Sequence, residues 1–188
     1  MCAVGGAAGF EHVAMVAAAA FMASVQGVAG AAPPPLRTTL MDLYAEHWRA
    51  PMQALDAAQR PLIAQHAGTS VEAVAMDLRL GADEQELGCD LTEFDVFLAC
   101  YVLHENASHM LVGGGDEEQE KEQEVGGCVL DMLVRAKSGA VMLCCDASNR
   151  LWPAMSRTAE KCGWQVDESP EKRVESGGPK SCWFAVKR

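Results

Sequence analysis

The sequence predicts a doubly wound α/β domain: a mostly parallel, seven-stranded sheet with helices on both faces. Three observations carry that prediction. Short apolar runs alternate with helical stretches along the chain, which is the pattern of βαβ units. Phe94 to Leu103 is almost continuously apolar, as suits a strand buried on both faces. Apolar residues make up 49% of the chain and aromatics only 6%, so the interior is built mainly from Ala, Val, Leu and Met. That composition fits helices packed on a sheet better than a β-sandwich. At 188 residues the chain fits one domain, 1–188, with one sizeable core.

The elements follow in order. Met1 to Val4 is a short apolar run that enters Gly5-Gly6-Ala7-Ala8-Gly9, and an Ala-rich stretch follows from Phe10 to Val28. The reading is strand, glycine turn, helix. Pro33-Pro34-Pro35 cannot continue a helix and forms a stiff connection. Leu36 to Leu43 reads as a second strand ending near Asp42. Trp48 to His66 reads as helix, with Pro51 and Pro61 expected at starts of turns or helices. Val71 to Leu78 is a third strand ending near Asp77, and Gly81 to Thr92 is polar and turn-like.

After the Phe94–Leu103 strand comes a low-complexity acidic insert, about 113–127, in which Asp116 to Glu124 is bracketed by glycines. Such a run is expected to be solvated and flexible. Val125 to Lys137 reads as a helix with Gly139 as its C-cap, and Ala140 to Cys145 as a buried strand. Leu151 to Gly163 is a helix with Pro153 in its first turn. Trp164 to Asp167 and Cys182 to Lys187 form the last two strands.

Charge and cysteine usage narrow the function classes. The formal net charge of −11 repels phosphate backbones, so generic nucleic-acid binding is not expected. None of the eight cysteines forms a C-x-x-C pair, so no metal site is expected. They read instead as small buried hydrophobes in a reducing, cytoplasmic compartment. Cys144 and Cys145, neighbours on a predicted strand, should point to opposite faces. The uncharged segment Val13 to Ala32 is neither a membrane span nor a signal peptide on this reading. It is rich in Ala and Gly rather than Leu, and Glu11 and His12 stand where a positive n-region belongs.

In a doubly wound sheet, ligands bind beyond the carboxyl ends of the strands, where strand order reverses. Three features fall at successive strand ends. Gly5, Gly6 and Gly9 form a turn that lets a ligand approach the backbone, with a helix N-terminus behind it. Asp42 closes the second strand, where an acid can accept from ribose hydroxyls. Asp77 closes the third, where a carboxylate can accept from an exocyclic adenine amine. Each is also a common turn or cap residue, and it is the ordered trio that points to a nucleoside. A nicotinamide-dependent oxidoreductase fits poorly. The glycines do not supply G-x-G-x-x-G, and the gap from Gly9 to Asp42 exceeds the roughly 20 residues expected there.

Val4-Gly5-Gly6-Ala7-Ala8-Gly9-Phe10-Glu11 resembles the glycine motif of class I (Rossmann-like) S-adenosylmethionine-dependent methyltransferases. Leu40-Met41-Asp42-Leu43-Tyr44 resembles their second-strand acidic motif, and Ala75-Met76-Asp77-Leu78 their adenine-contacting segment. Phe94 to Glu105 is similar to their fourth strand with the segment after it, and Gly139 to Cys145 to the next turn and strand. The likeness covers nearly the whole chain and rests on order and spacing.

The resemblance implies S-adenosyl-L-methionine as cofactor and a small molecule or protein side chain as methyl acceptor. It implies that Gly5, Gly6 and Gly9 flank the methionine moiety, that Asp42 and Leu43 hold the ribose and adenosine, and that Asp77 and Leu78 contact adenine. Cys100 and Tyr101 would border the methyl-donor pocket. His104, after the fourth strand, is the candidate general base, with helix initiation as its alternative role. Two departures matter. Ala7 and Ala8 replace the usual glycine or small residues of the turn. The helices that usually precede the first strand have no counterpart ahead of Met1, so the expectation is a minimal core, a fragment or an incomplete reading frame. Both departures, together with the acidic insert, favour the alternative of a catalytically inactive binding or assembly protein of the same fold.

Overall fold

A computed structural model of the chain describes residues 1–5, 10–25, 36–59, 70–113, 123–167 and 181–188. Strand β1 (Cys2–Val4) lies at the centre of a seven-stranded sheet, between β2 (Arg37–Asp42) and β4 (Val96–Cys100), and β3 (Ser70–Ala75) lies outside β2. All these pairings are parallel, with Ala3 opposite both Leu40 and Leu98. On the other side of β4 comes β7 (Val141–Asp146), also parallel. The final strand β9 (Ser181–Lys187) then inserts antiparallel between β7 and β8 (Trp164–Val166). The sheet therefore reads β3-β2-β1-β4-β7-β9-β8, the mostly parallel seven-stranded arrangement that the sequence predicts.

Alternation along the strands divides the core into two layers. Cys2, Val4, Phe97, Met142 and Cys144 face helices α4 (Gly127–Arg135) and α5 (Trp152–Lys161), which contribute Met132, Leu133 and Met155 to the main core. Ala3 and Leu40 face the opposite way and pack on Met52 and Trp48 of α2 (Ala45–Gln59). Helix α1 (Phe10–Val25) joins this second layer, where buried His12 Nδ1 lies 2.8 Å from Thr38 Oγ1. Helices thus cover both faces. Phe97, Leu98 and Ala99 are all buried, which explains the unbroken apolar run.

Several boundaries differ from the sequence reading. Pro51 lies inside α2 rather than at its start. The helix begins earlier because Asp42 Oδ1 accepts the Tyr44 N–H at 2.7 Å, and the turn it closes leads directly into Ala45. Strand β4 stops at Cys100 because Tyr101 adopts a left-handed conformation, φ +58°. The 3-10 turn His104–Asn106 and the short helix α3 (Ala107–Met110) follow. A two-stranded ladder, β5 (Leu111–Val112) with β6 (Glu124–Val125), brings the flanks of the acidic segment together. Accordingly α4 starts at Gly127 and is capped at Ala136, with Gly139 in the turn beyond. Residues 114–122 of the acidic segment, Pro33-Pro34-Pro35 and Pro61 lie outside the described residues.

Candidate functional site

The strand order reverses between β1 and β4, and the candidate site lies at their carboxyl ends, where a doubly wound sheet places its ligands. Gly5 is the first residue beyond β1. Its φ is +63°, and a Cβ there would stand 2.5 Å from Val102 Cγ2, so glycine is required twice over. The Gly5 N–H donates to Met41 O at 2.8 Å, and the Met76 N–H donates to Asp42 O at 3.2 Å. Backbone hydrogen bonds therefore lace together the exits of the first three strands. Gly5, Asp42 and Asp77 sit along that lacing.

Each predicted residue has its own setting. Asp42 Oδ1 accepts from the Tyr44 N–H in the turn that presents Leu43, which is 51% exposed. Asp77 is engaged by Arg79: its Oδ1 accepts from Arg79 N–H at 3.0 Å and from Nε at 2.8 Å, and its Oδ2 accepts from Nη2 at 2.5 Å. The guanidinium holds the Asp77 carboxyl below its ordinary range. Gln85 pins the Asp77 backbone, accepting its N–H and donating to its carbonyl, each at 2.8 Å. Leu78 is turned into the main core, and its carbonyl accepts the Cys128 N–H at 3.1 Å, so its side chain is not presented at the strand exits. Gly6 and Gly9, with Ala7 and Ala8, lie outside the described residues.

Cys100 ends β4 half-buried, and Tyr101 is 53% exposed. The left-handed conformation of Tyr101 costs roughly 1–2 kcal/mol. Its N–H is held by Cys145 O at 2.8 Å. Strain of this kind gathers at ligand sites because neighbouring structure must fix it.

His104 lies against Asp146, the last residue of β7. The His104 N–H donates to Asp146 Oδ2 at 3.0 Å, and His104 Nδ1 is shielded from solvent against Asp146 Oδ1. The Ala147 N–H donates to Oδ1 at 2.6 Å, and Asp146 is 1% exposed. With its proton on Nδ1, facing the carboxylate, a neutral His104 keeps the Nε2 lone pair for proton abstraction. The 3-10 turn that begins at His104 is compatible with that role, since the turn itself brings the ring to Asp146.

Two residues near these strand exits received no site role from the sequence. Asp146 is a strand-end acid like Asp42, and extending the Ala140–Cys145 strand by one residue reveals it. Glu11, in the first turn of α1, has a buried Oε2 with no hydrogen-bond partner among the described residues. Burial raises its pKa from the ordinary 4.5, and its charge opposes ionisation of Cys100, which puts it within electrostatic range of the β4 exit.

Among the described residues, no group of three or more His, Cys, Asp or Glu is arranged to hold a metal, and no helix is long and apolar enough to cross a membrane.

No family model and no curated protein matches the chain. Among solved structures it superposes on a methyltransferase candidate from Thermoplasma acidophilum with TM-score 0.50 and 11% identity, over 100% of this chain and 67% of that one. Against precorrin-6y C5,15-methyltransferase from Geobacter metallireducens GS-15 the TM-score is 0.45 and the identity 13%, over 100% and 78% of the two chains. Identities this low speak to the fold alone. With its seven-stranded order, its helices on both faces and the first of these superpositions, the chain has the doubly wound, Rossmann-like fold of that structure.

Proposed function

We propose that this chain is an S-adenosylmethionine-dependent methyltransferase acting on a small molecule or a protein side chain. The observation that carries the reading is the backbone lacing of the Gly5, Asp42 and Asp77 strand exits at the point where strand order reverses. Glu11 Oε2, without a hydrogen-bond partner among the described residues and within electrostatic range of the β4 exit, suits a cationic ligand, because a buried carboxylate is relieved by an ammonium group. The donor supplies an electrophilic methyl group on a sulfonium.

The chain's own residues would do the rest. Glu11 would accept from the donor's amino group, and Asp42 would accept from the ribose hydroxyls beside Leu43. Tyr101 and Cys100 would border the reacting centre, the first fixed by its bond to Cys145. His104 Nε2 would take the proton of an acceptor that must lose one, while Asp146 holds the opposite ring nitrogen. Proximity and exclusion of water then carry most of the acceleration. A reducing, cytoplasmic setting accompanies this reading.

One observation favours a second reading, an inactive binding or assembly protein. The Asp77 carboxylate, expected to accept from adenine, is already held by Arg79. Calorimetric titration with S-adenosylmethionine, its demethylated product and NAD separates the two. Binding of the first two but not NAD supports the enzyme. Binding of none of the three sinks it.

A further inference from the structure

We propose that Cys145 and Cys182 are a redox modification site, closing a reversible cross-strand disulfide beside the β4 and β7 exits. Strand register makes a row of three thiols. Cys100 lies opposite Cys145 across β4 and β7, and Cys145 lies opposite Cys182 across β7 and β9. Residues in register on neighbouring strands share a face, so the row occupies one side of the sheet, while Cys144 is buried on the other. Cys145 Sγ and Cys182 Sγ stand 3.3 Å apart, against about 2.05 Å in a disulfide. Directly opposed residues of an antiparallel pair have Cα atoms about 4.5–5.5 Å apart, inside the range a disulfide spans. Closure therefore needs a side-chain movement of little more than 1 Å and no change of register.

The chemistry needs a small-molecule disulfide as oxidant. The Cys182 thiolate attacks one sulfur of oxidised glutathione and expels the other half as a thiolate. Cys145 gives up its proton to solvent and attacks Cys182 Sγ, expelling the second glutathione. Two protein thiols are oxidised and one glutathione disulfide is reduced to two thiols. Burial pushes the Cys182 thiol up to about 11, so closure is slow at neutral pH and its rate climbs about tenfold per pH unit from 7 to 9, following the thiolate fraction. Two reduced glutathiones reopen it by the reverse of these steps and leave as oxidised glutathione.

The link also reaches the candidate site. Cys145 O holds the Tyr101 N–H, and the next residue is Asp146 against His104. Closure pulls on that strand end and weakens donor binding, a consequence that rests on the function proposed above.

The test uses the full chain, equilibrated in oxidised and reduced glutathione at pH 8, alkylated and cut with trypsin. The expected product is the peptide Ser138 to Arg150 joined to Ser181 to Lys187, with two of the eight thiols lost and both restored by dithiothreitol. Cys144→Ser keeps the link, and Cys145→Ser or Cys182→Ser abolishes it. Absence of the joined peptide, or its survival in Cys145→Ser, overturns the site. Oxidised wild-type protein should bind S-adenosylmethionine about fivefold or more weakly than equally treated Cys182→Ser. A link that leaves affinity unchanged overturns the coupling alone. No donor binding in either redox state refutes the proposed function and leaves the disulfide to stand on the peptide.

Discussion

Val102, two residues past β4, fills the space that a side chain on Gly5, one residue past β1, would need. The two strands on either side of the order reversal are thereby locked at their exits by a contact only glycine permits. Gly5→Ala should destabilise the domain through two additive costs: about 1–2 kcal/mol for the left-handed backbone and about 1–3 kcal/mol for overpacking against Val102. Gly5→Ala/Val102→Ala should recover the second cost and leave the first. Urea denaturation of the four proteins in the cycle measures this. Strict additivity would mean that the two residues do not touch.

The His104–Asp146 pair makes a prediction about rate. His104→Ala should lower kcat about 10²- to 10⁴-fold for an acceptor that must be deprotonated, with donor affinity unchanged. Asp146→Asn should act through the tautomer, because an amide nitrogen facing Nδ1 turns the ring's proton to Nε2. Asp146→Ala should in addition destabilise the fold by about 1–3 kcal/mol, since it strands the backbone N–H groups of His104 and Ala147. A loss in kcat with donor affinity and stability unchanged in His104→Ala distinguishes proton transfer from a structural role.

Much of this arrangement was legible in the sequence, and the parts that were not have physical causes. Alternation and apolar runs located all seven strands of the main sheet, because apolar runs ended by polar residues leave a signal, strongest in β4, whose Phe97, Leu98 and Ala99 are all buried. The acids Asp42 and Asp77 were legible for the same reason, being the first polar residues at the end of an apolar run. Asp146 was missed because the Ala140–Cys145 strand was ended one residue early. The β5–β6 ladder was invisible because two-residue strands beside a charged run carry no period. Pro51 misled because its ring suits a first turn, while the start of α2 is set by the Asp42 carboxylate nine residues earlier. Leu78 was assigned to the ligand by its neighbour Asp77, although an apolar side chain there is free to turn into the core. That Asp77 would be held by a residue only two positions away is a contact that sequence order does not announce.

Glu11 should trade stability for binding. Its folded-state pKa is raised by burial, so the stability it contributes is fully present below the ordinary 4.5 and is lost as pH rises through the folded value. At neutral pH the buried charge is a liability. Glu11→Gln should therefore stabilise the unliganded protein at pH 7, with the advantage shrinking as pH falls toward 4.5. The same substitution should weaken S-adenosylmethionine binding, because the amide cannot offset an ammonium charge. Thermal melts across pH, paired with calorimetry, read both. A variant that gains stability yet binds the donor as the wild type does would remove Glu11 from the site.

The Asp77–Arg79 pair sets the last prediction. Arg79 donates to both Asp77 oxygens and lowers the pKa of the carboxyl, so at neutral pH the carboxylate is charged but occupied. An adenine amine must therefore displace the guanidinium or share the carboxylate with it. The pair is exposed on the arginine side, where competition with a ligand is weak, so Arg79→Ala should tighten S-adenosylmethionine binding only about two- to fivefold. Asp77→Asn should weaken binding, and in the Arg79→Ala background it should erase the gain, because the arginine acts only through the carboxylate. Methylthioadenosine, which keeps the adenine and lacks the amino acid, should show the same pattern, while free methionine should show none of it. If Arg79→Ala tightens binding equally with and without the Asp77 carboxylate, the arginine is a lid rather than a competitor, and Asp77 is not the adenine acceptor.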